Sequence, residues 1–144
     1  MHTEPIDYDR PMYERAREYA GGTDERLFED YFDAQFDMLR AVRPLVVGHF
    51  DLIRLKSDDP ERSFRQWAGV RARILRNLDY VAGYGGMLEL NSAALRKGMS
   101  EPYPKGEICR VCLLYSIPFC FHHPGNQTDN AGISRKRRPI LPLG

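Results

Sequence analysis

The sequence lacks several features that would place the protein in a specialised class. No apolar run approaches the roughly 20 residues of a membrane-spanning helix. Residues 1–5 have neither the basic start nor the apolar stretch of a secretory signal. In residues 1–108 acidic side chains outnumber basic ones, which argues against a dedicated nucleic-acid surface. We therefore expect a cytoplasmic protein with no membrane or nucleic-acid partner, and the oligomeric state stays open.

Cysteine and basic charge are unevenly distributed along the chain. Residues 1–108 contain no cysteine, so nothing there predicts a disulfide, and all three cysteines lie in residues 109–144. Basic residues outnumber acidic ones in that second segment. With 42% hydrophobic and 11% aromatic residues the chain is richer in core-forming side chains than a disordered one. At 144 residues it is one domain or part of one, with a boundary expected between residues 108 and 109.

Three helices are predicted from capping residues and apolar spacing. Pro11 is typical of a first helical turn, and the first helix is expected over residues 11–19. Thr23 is a good N-cap for a second helix. Asp59, followed by proline and glutamate, predicts the start of a long third helix that Gly83 would end.

Two short apolar runs alternate with these helices and predict strands. Residues 44–49 and 85–91 lack polar alternation, which is typical of strands buried on both faces of a parallel sheet. The order helix, strand, helix, strand indicates an α/β fold, either a barrel or a doubly wound sheet. Both architectures bind ligands at the carboxyl ends of their strands, where His49 and Asn91 are predicted to lie.

The first candidate site residue is His49. A neutral imidazole at a strand end is a good ligand for zinc, iron or manganese, and Asp51 could orient the ring from behind. A hydrogen-bonded histidine that binds no metal is the alternative, and for a lone histidine it is the commoner case.

The second candidate group follows the second predicted strand. Asn91, Arg96 and Lys97 would place polar donors and two cations at the rim of the sheet, which suits a phosphate monoester. Alternatively, Asn91 caps a helix and the two cations occupy its last turn. From the residues alone both interpretations stay open.

Five segments occur in order along the chain, at residues 5–9, 45–53, 84–86, 89–98 and 101–104. Together they resemble the fungal branch of the histidinol-phosphate phosphatases of the polymerase-and-histidinol-phosphatase (PHP) family. The resemblance implies a distorted (βα)7 barrel with parallel strands and surrounding helices, of which this chain holds a part. It also implies metal-dependent hydrolysis of L-histidinol phosphate to L-histidinol and phosphate, in histidine biosynthesis.

The same resemblance implies roles for individual residues. His49 matches a metal-binding histidine of the family, and His2 is expected near the metal ions. Arg96 matches a position expected to hold the substrate phosphate, with Lys97 and Asn91 as weaker candidates. No residue is assigned as catalytic.

The resemblance is partial. The family's His-x-His and Asp-x-His ligand pairs have no counterpart in this sequence, so we expect an incomplete metal site and a weakly active or inactive form. Residues 1–108 are predicted to be a partial phosphatase domain, and residues 109–144 a divergent segment that is expected to be poorly ordered. A catalytically dead interaction module, or another phosphoesterase of the family, is the alternative function.

The divergent segment has two patterns of its own. Cys109 and Cys112, with Cys120 and two neighbouring histidines, have spacing near that of a zinc site, although a single Cys-x-x-Cys is a weak signal. The basic residues 135–138 resemble a localisation or nucleic-acid patch, whereas a solvated basic end is the commoner outcome.

Overall fold

The structure is a computed structural model that describes residues 9–91 and 103–122. Within these residues the chain is a mixed α/β protein that divides into two compact units. We call residues 9–42 and 52–77 the helical unit, and residues 43–51, 78–91 and 103–122 the sheet unit. In the described part of the chain no helix is both long enough and apolar enough to cross a membrane.

The helical unit begins with two helices, each with a side-chain hydrogen bond at its N-terminus. Helix α1 spans Arg10–Ala20, and the side chain of Asp9 accepts a hydrogen bond from the backbone N–H of Met12 at 2.9 Å. Helix α2 spans Asp24–Val42, and Thr23 Oγ1 accepts from the Arg26 N–H at 3.2 Å. The predicted first helix and the predicted Thr23 cap are confirmed.

Aromatic side chains form the centre of the helical unit. The ring centroid of Phe28 lies 5.2 Å from that of Trp67 and 6.1 Å from that of Phe64. Phe32 contacts Phe64 edge-on at 6.2 Å and is fully buried. Tilted and edge-on pairs at these distances are favourable arrangements of aromatic rings, so they add to the stabilisation from burial.

An ionic cluster joins helix α1 to Asp58, which lies far from it in the sequence. Arg10 and Arg17 both donate hydrogen bonds to the Asp58 carboxylate, the second at 3.0 Å. These bonds hold the pKa of the Asp58 carboxyl below its usual value. Arg17 also donates to Asp24 Oδ1 at 3.0 Å, so the two helices share one network of charges.

The prediction that the third helix starts near Asp59 is wrong. Asp59 instead closes a turn, which is followed by a 3₁₀ helix, Phe64–Gln66, capped by the Ser63 hydroxyl. Trp67 then has an extended backbone with φ −122° and ψ 95°, and this breaks the helical path. Helix α3 therefore spans Ala68–Tyr84, beginning several residues later than predicted.

A parallel sheet of three strands, in the order β1-β2-β3, forms the sheet unit. Strand β1 is Val46–Val47, β2 is Met87–Asn91 and β3 is Phe119–His122. Val47 pairs with Leu88, and Leu88 also pairs with Phe119. The predicted α/β class and parallel strand direction are confirmed.

Strand β1 is shorter and more exposed than predicted. The sequence predicts a strand over residues 44–49 that is buried on both faces. In the structure Val47 is buried, whereas Val46 is 40% exposed and Leu45 is 65% exposed. The reason is the position of β1 at one end of the strand order, where among the described residues it pairs with β2 alone.

Part of the segment after residue 108 belongs to the sheet unit, and the expectation that residues 109–144 are poorly ordered stays a prediction. Residues 109–122 contribute most of helix α4, Gly106–Leu114, and all of strand β3. Burial of Cys112 and Ile117 stabilises this helix and strand, and apolar β3 pairs with β2 along four residues. The boundary expected between residues 108 and 109 falls inside α4 and stays a prediction, and residues 123–144 lie outside the described residues.

Gly85, rather than the predicted Gly83, ends helix α3. Gly85 has φ +81°, and the N–H of Gly86 donates to the carbonyl of Val81 at 3.0 Å. This hydrogen bond reaches back five positions, as in a Schellman cap. In that cap a residue with left-handed backbone conformation lets the chain leave the helix. The cap turns the chain directly into β2.

Substitution of Gly85 by alanine is expected to lower the free energy of unfolding by about 1–2 kcal/mol, because an L side chain is disfavoured at positive φ. Gly83→Ala is the matched control, since Gly83 is helical and an added Cβ there meets nothing within 4 Å. The control is expected to gain up to about 1 kcal/mol from helix propensity. Urea unfolding of both variants checks this, and equal effects would contradict the capping role.

Candidate active site

Polar side chains predicted from sequence meet at the carboxyl ends of β1 and β2. His49 follows β1 after one residue, and Asn91 is the last residue of β2. The Nε2 atom of His49 lies 3.2 Å from the Nδ2 atom of Asn91. The structure therefore brings together two of the residues that were expected to act at this edge of the sheet.

His49 has an unusual backbone conformation. Its φ is +50°, in the left-handed region that side-chain-bearing residues rarely occupy. The sequence predicts the sharp turn at Gly48, but the backbone of Gly48 lies outside this region. Such a conformation costs about 1 kcal/mol or more and recurs at functional sites, although Arg43 and Ser116 of this chain adopt it too.

Gly48 serves a different purpose from the predicted one. A Cβ atom added at this position would lie 3.2 Å from Glu89 Oε1, closer than most real Cβ contacts. The missing side chain therefore leaves room for the Glu89 carboxylate beside the end of β1. This is a glycine used for close approach rather than for its φ.

Glu89 belongs to the site, although no site role was assigned to it from sequence. Its Oε1 atom accepts a hydrogen bond from Asn91 Nδ2 at 3.3 Å. The two residues are two positions apart on β2 and so point to the same face of the sheet. The two-residue spacing in the sequence indicates that Glu89 and Asn91 share a face of the strand. That the Glu89 carboxylate lies beside Gly48 can be seen only in the folded chain.

Tyr103 is the second site residue that was missed. It forms an antiparallel bridge with Asn91, with backbone N–H to carbonyl distances of 2.8 and 3.0 Å. Its buried ring is stacked on the His49 imidazole, with centroids 5.9 Å apart and planes inclined by 28°. Nothing local in the sequence indicates this contact, because the bridge joins segments that are 12 residues apart.

Asp51 follows β1 in the sequence and is fully buried. Its Oδ2 atom accepts a hydrogen bond from the backbone N–H of Lys105 at 2.9 Å, directly before α4. The carboxylate thereby connects the end of β1 to the start of that helix, where negative charge is favourable. The expectation that Asp51 orients His49 behind a metal ion stays a prediction.

The remaining predicted site residues cannot be placed. His2, Arg96 and Lys97 lie outside the described residues, so their roles toward metal and phosphate stay predictions.

The donor set of the described residues falls short of what a metal ion needs. Across residues 9–91 and 103–122 no group of three or more His, Cys, Asp or Glu side chains is arranged to hold one. His49 and Glu89 approach the same amide nitrogen, but two donors are fewer than zinc, iron or manganese take from proteins. These residues do not fit a complete metal site and could form only part of one.

The cysteine pattern does not form a zinc cluster in the described part of the chain. Cys112 and Cys120 are buried, and burial raises the pKa of the Cys112 thiol, which disfavours the thiolate that zinc requires. Cys109 Sγ lies 3.5 Å from the carbonyl oxygen of Pro104.

Three known proteins are similar to this chain over part of their length. A protein of Schizosaccharomyces pombe named probable histidinol-phosphatase is 40% identical over 108 residues, 74% of this chain and 35% of that protein. The histidinol-phosphatase of Saccharomyces cerevisiae is 32% identical over 127 residues, 74% of this chain and 38% of that protein. A probable histidinol-phosphatase of Deinococcus radiodurans is 30% identical, with 74% and 38% covered.

Over about three quarters of its length the chain is therefore similar to these three proteins, which are named as histidinol-phosphatases. It spans between 35% and 38% of the length of these three proteins. No protein-family model matches the chain, and no solved structure does.

Proposed function

We propose that this chain supplies part of a metal-dependent histidinol-phosphate phosphatase, which hydrolyses L-histidinol phosphate to L-histidinol and phosphate. One observation carries the proposal. His49, Asn91 and Glu89 converge at the carboxyl ends of neighbouring parallel strands, in a chain related to histidinol-phosphatases. Ligand sites of parallel α/β proteins lie at this edge.

Within this proposal the three strands are part of a larger PHP-type barrel, and each site residue has a role. His49 supplies one imidazole to a divalent metal site, with zinc, iron or manganese as the candidates and His2 nearby. When bound, the metal would polarise the phosphate and lower the pKa of a water molecule. The Asn91 amide, with Arg96 and Lys97, would donate to phosphate oxygens, and Asp51 holds the start of α4 in place.

The 144-residue chain alone is expected to release little phosphate from histidinol phosphate, because the described residues supply too few donors for a metal site. The assay adds manganese or zinc to the chain and compares it with the S. pombe relative under the same conditions. Turnover by the isolated chain at the rate of that relative would refute the expectation of an incomplete site.

The alternative of an interaction module finds less support. It requires the apolar stripe that contains Phe28 to be exposed for a partner, because an incomplete barrel would leave that helix uncovered. In the structure Phe28 is buried and packs against Trp67 within the helical unit. The phosphatase proposal is favoured for this reason.

A further inference from the structure

We propose that Glu89 and Asn91 act as positioning residues that fix the tautomer of His49, placing its proton on Nδ1 and leaving the lone pair on Nε2. The proposal rests on one geometric fact. A single amide nitrogen, Asn91 Nδ2, lies within hydrogen-bond distance of both Glu89 Oε1, at 3.3 Å, and His49 Nε2, at 3.2 Å.

The first step is the orientation of the Asn91 amide. An ionised carboxylate accepts hydrogen bonds and cannot donate them, so the amide nitrogen must face Glu89. With the amide reversed, its oxygen would lie about 3.3 Å from the carboxylate oxygen, and two acceptors would repel each other. Glu89 therefore selects one of the two amide orientations.

In the second step, the orientation of the Asn91 amide determines the tautomer of the His49 imidazole. The amide nitrogen carries two hydrogens, of which one is used by Glu89 and the other is directed to His49. Nε2 of His49 must accept that hydrogen, since an N–H there would meet another N–H. In a neutral imidazole one nitrogen donates while the other accepts, so the proton lies on Nδ1.

The backbone holds Asn91, the central residue of this arrangement, whereas His49 is solvent-exposed and Glu89 is half-buried. The N–H and carbonyl groups of Asn91 are both bonded to Tyr103, whose ring also stacks on the His49 imidazole. Gly48 leaves the space in which the Glu89 carboxylate lies. Asn91 itself is only 2% exposed, so water does not compete freely for its amide.

This tautomer has a consequence for the proposed phosphatase. Nε2 is the atom of His49 that keeps a lone pair, and it is the atom that would bind a cation after the Asn91 amide gives up its hydrogen bond. The identity of the ligand atom rests on the proposed function, whereas the tautomer of the free chain does not.

The test reads the tautomer directly by nitrogen NMR. The chain is labelled with ¹⁵N-histidine, kept free of metal with a chelator, and measured at a pH well above the usual imidazole pKa of about 6.5. Long-range ¹H–¹⁵N correlations distinguish the protonated nitrogen from the bare one, and a His49→Gln sample assigns the His49 signals. Protonated Nδ1 and bare Nε2 are expected, and protonated Nε2 in the unmodified chain would overturn the proposal.

A matched pair of variants tests the role of Glu89. Glu89→Gln keeps the shape but removes the repulsion against the reversed amide, so His49 is expected to become a mixture of tautomers. Asp79→Asn makes the same chemical change at an exposed carboxylate of α3 and is expected to leave the signals unchanged. An unaltered His49 tautomer in Glu89→Gln, with the backbone spectrum retained, would overturn the role of Glu89. A failed phosphatase assay would leave the tautomer standing, so the two proposals can fail separately.

Discussion

Substitution of His49 by alanine is expected to lower phosphate release from histidinol phosphate by at least about 100-fold in an active phosphatase that contains this segment. Loss of groups that merely support a metal ligand costs about 10–100-fold, and the loss of a ligand should cost no less. The position of His49 at the end of β1, with φ +50° and its Nε2 on Asn91, motivates this expectation.

The experiment needs a chimaera, because the chain spans only 35% of the S. pombe relative. In the chimaera the 108-residue matched segment of that relative is replaced by the matching residues of this chain, and the host supplies the rest. Phosphate release is measured with manganese or zinc before and after His49→Ala. Asp79→Asn is the control and is expected to retain the parental rate within the error of the assay.

Two further observations keep the result interpretable. The thermal midpoint of the His49→Ala chimaera is compared with that of its parent, because alanine is also disfavoured at positive φ and the substitution removes the contact with Tyr103. A variant that is equally stable and retains more than a tenth of the parental activity would contradict a ligand role for His49.

Phe32→Ala is expected to give the largest loss of stability, about 3–5 kcal/mol, which is the usual cost of truncating a buried phenylalanine. Phe32 is fully buried, with 0% solvent exposure, and its ring meets those of Tyr31 and Phe64 edge-on. Its carbonyl also accepts a 2.8 Å hydrogen bond from the side chain of Asn77. Such a loss is a large fraction of the roughly 5–15 kcal/mol that stabilises a typical protein.

Tyr19→Ala is the control for this substitution, because it also removes an aromatic ring from a helix but at a position that is 78% exposed. It is expected to change the free energy of unfolding by no more than about 0.5 kcal/mol. Both variants are compared by urea unfolding with a common slope. A loss below about 1.5 kcal/mol for Phe32→Ala would show that this aromatic cluster is not a packed core.

The helices could be predicted where local chemistry decides them. Thr23 caps α2 through its own hydroxyl, and that interaction spans three residues of sequence. Trp67 shows the limit of such reasoning, since its place in an apolar period of 3.6 suggests continuous helix while its backbone is extended. The turn at Asp59 competes with a helix start that uses the same residues, and sequence alone does not rank the two.

The extent and burial of the strands depend more on which strands lie beside them than on local sequence. Leu45 and Val46 belong to an apolar run that is typical of a buried strand, yet their exposure is set by which strands lie alongside. Strand β3 was not predicted because its apolar residues merge with those of α4 into one run without a clear period. In both cases the missing information is tertiary.

Part of the candidate site could be predicted from sequence, and the rest depends on tertiary contacts. His49 and Asn91 follow from the rule that parallel strands present ligands at their carboxyl ends, and the structure brings them within 3.2 Å. Glu89 and Tyr103 were not predicted as site residues. The place of Glu89 depends on the space beside Gly48, and that of Tyr103 on its backbone bridge to Asn91. No short-range pattern records either contact.

The most direct test of the central claim is an anomalous-scattering map from crystals of the chimaera grown with manganese or zinc. The account predicts a metal peak within bonding distance of His49 Nε2, with the Asn91 amide turned away from that atom. A metal-loaded and active chimaera in which the His49 ring contacts no metal ion would contradict it.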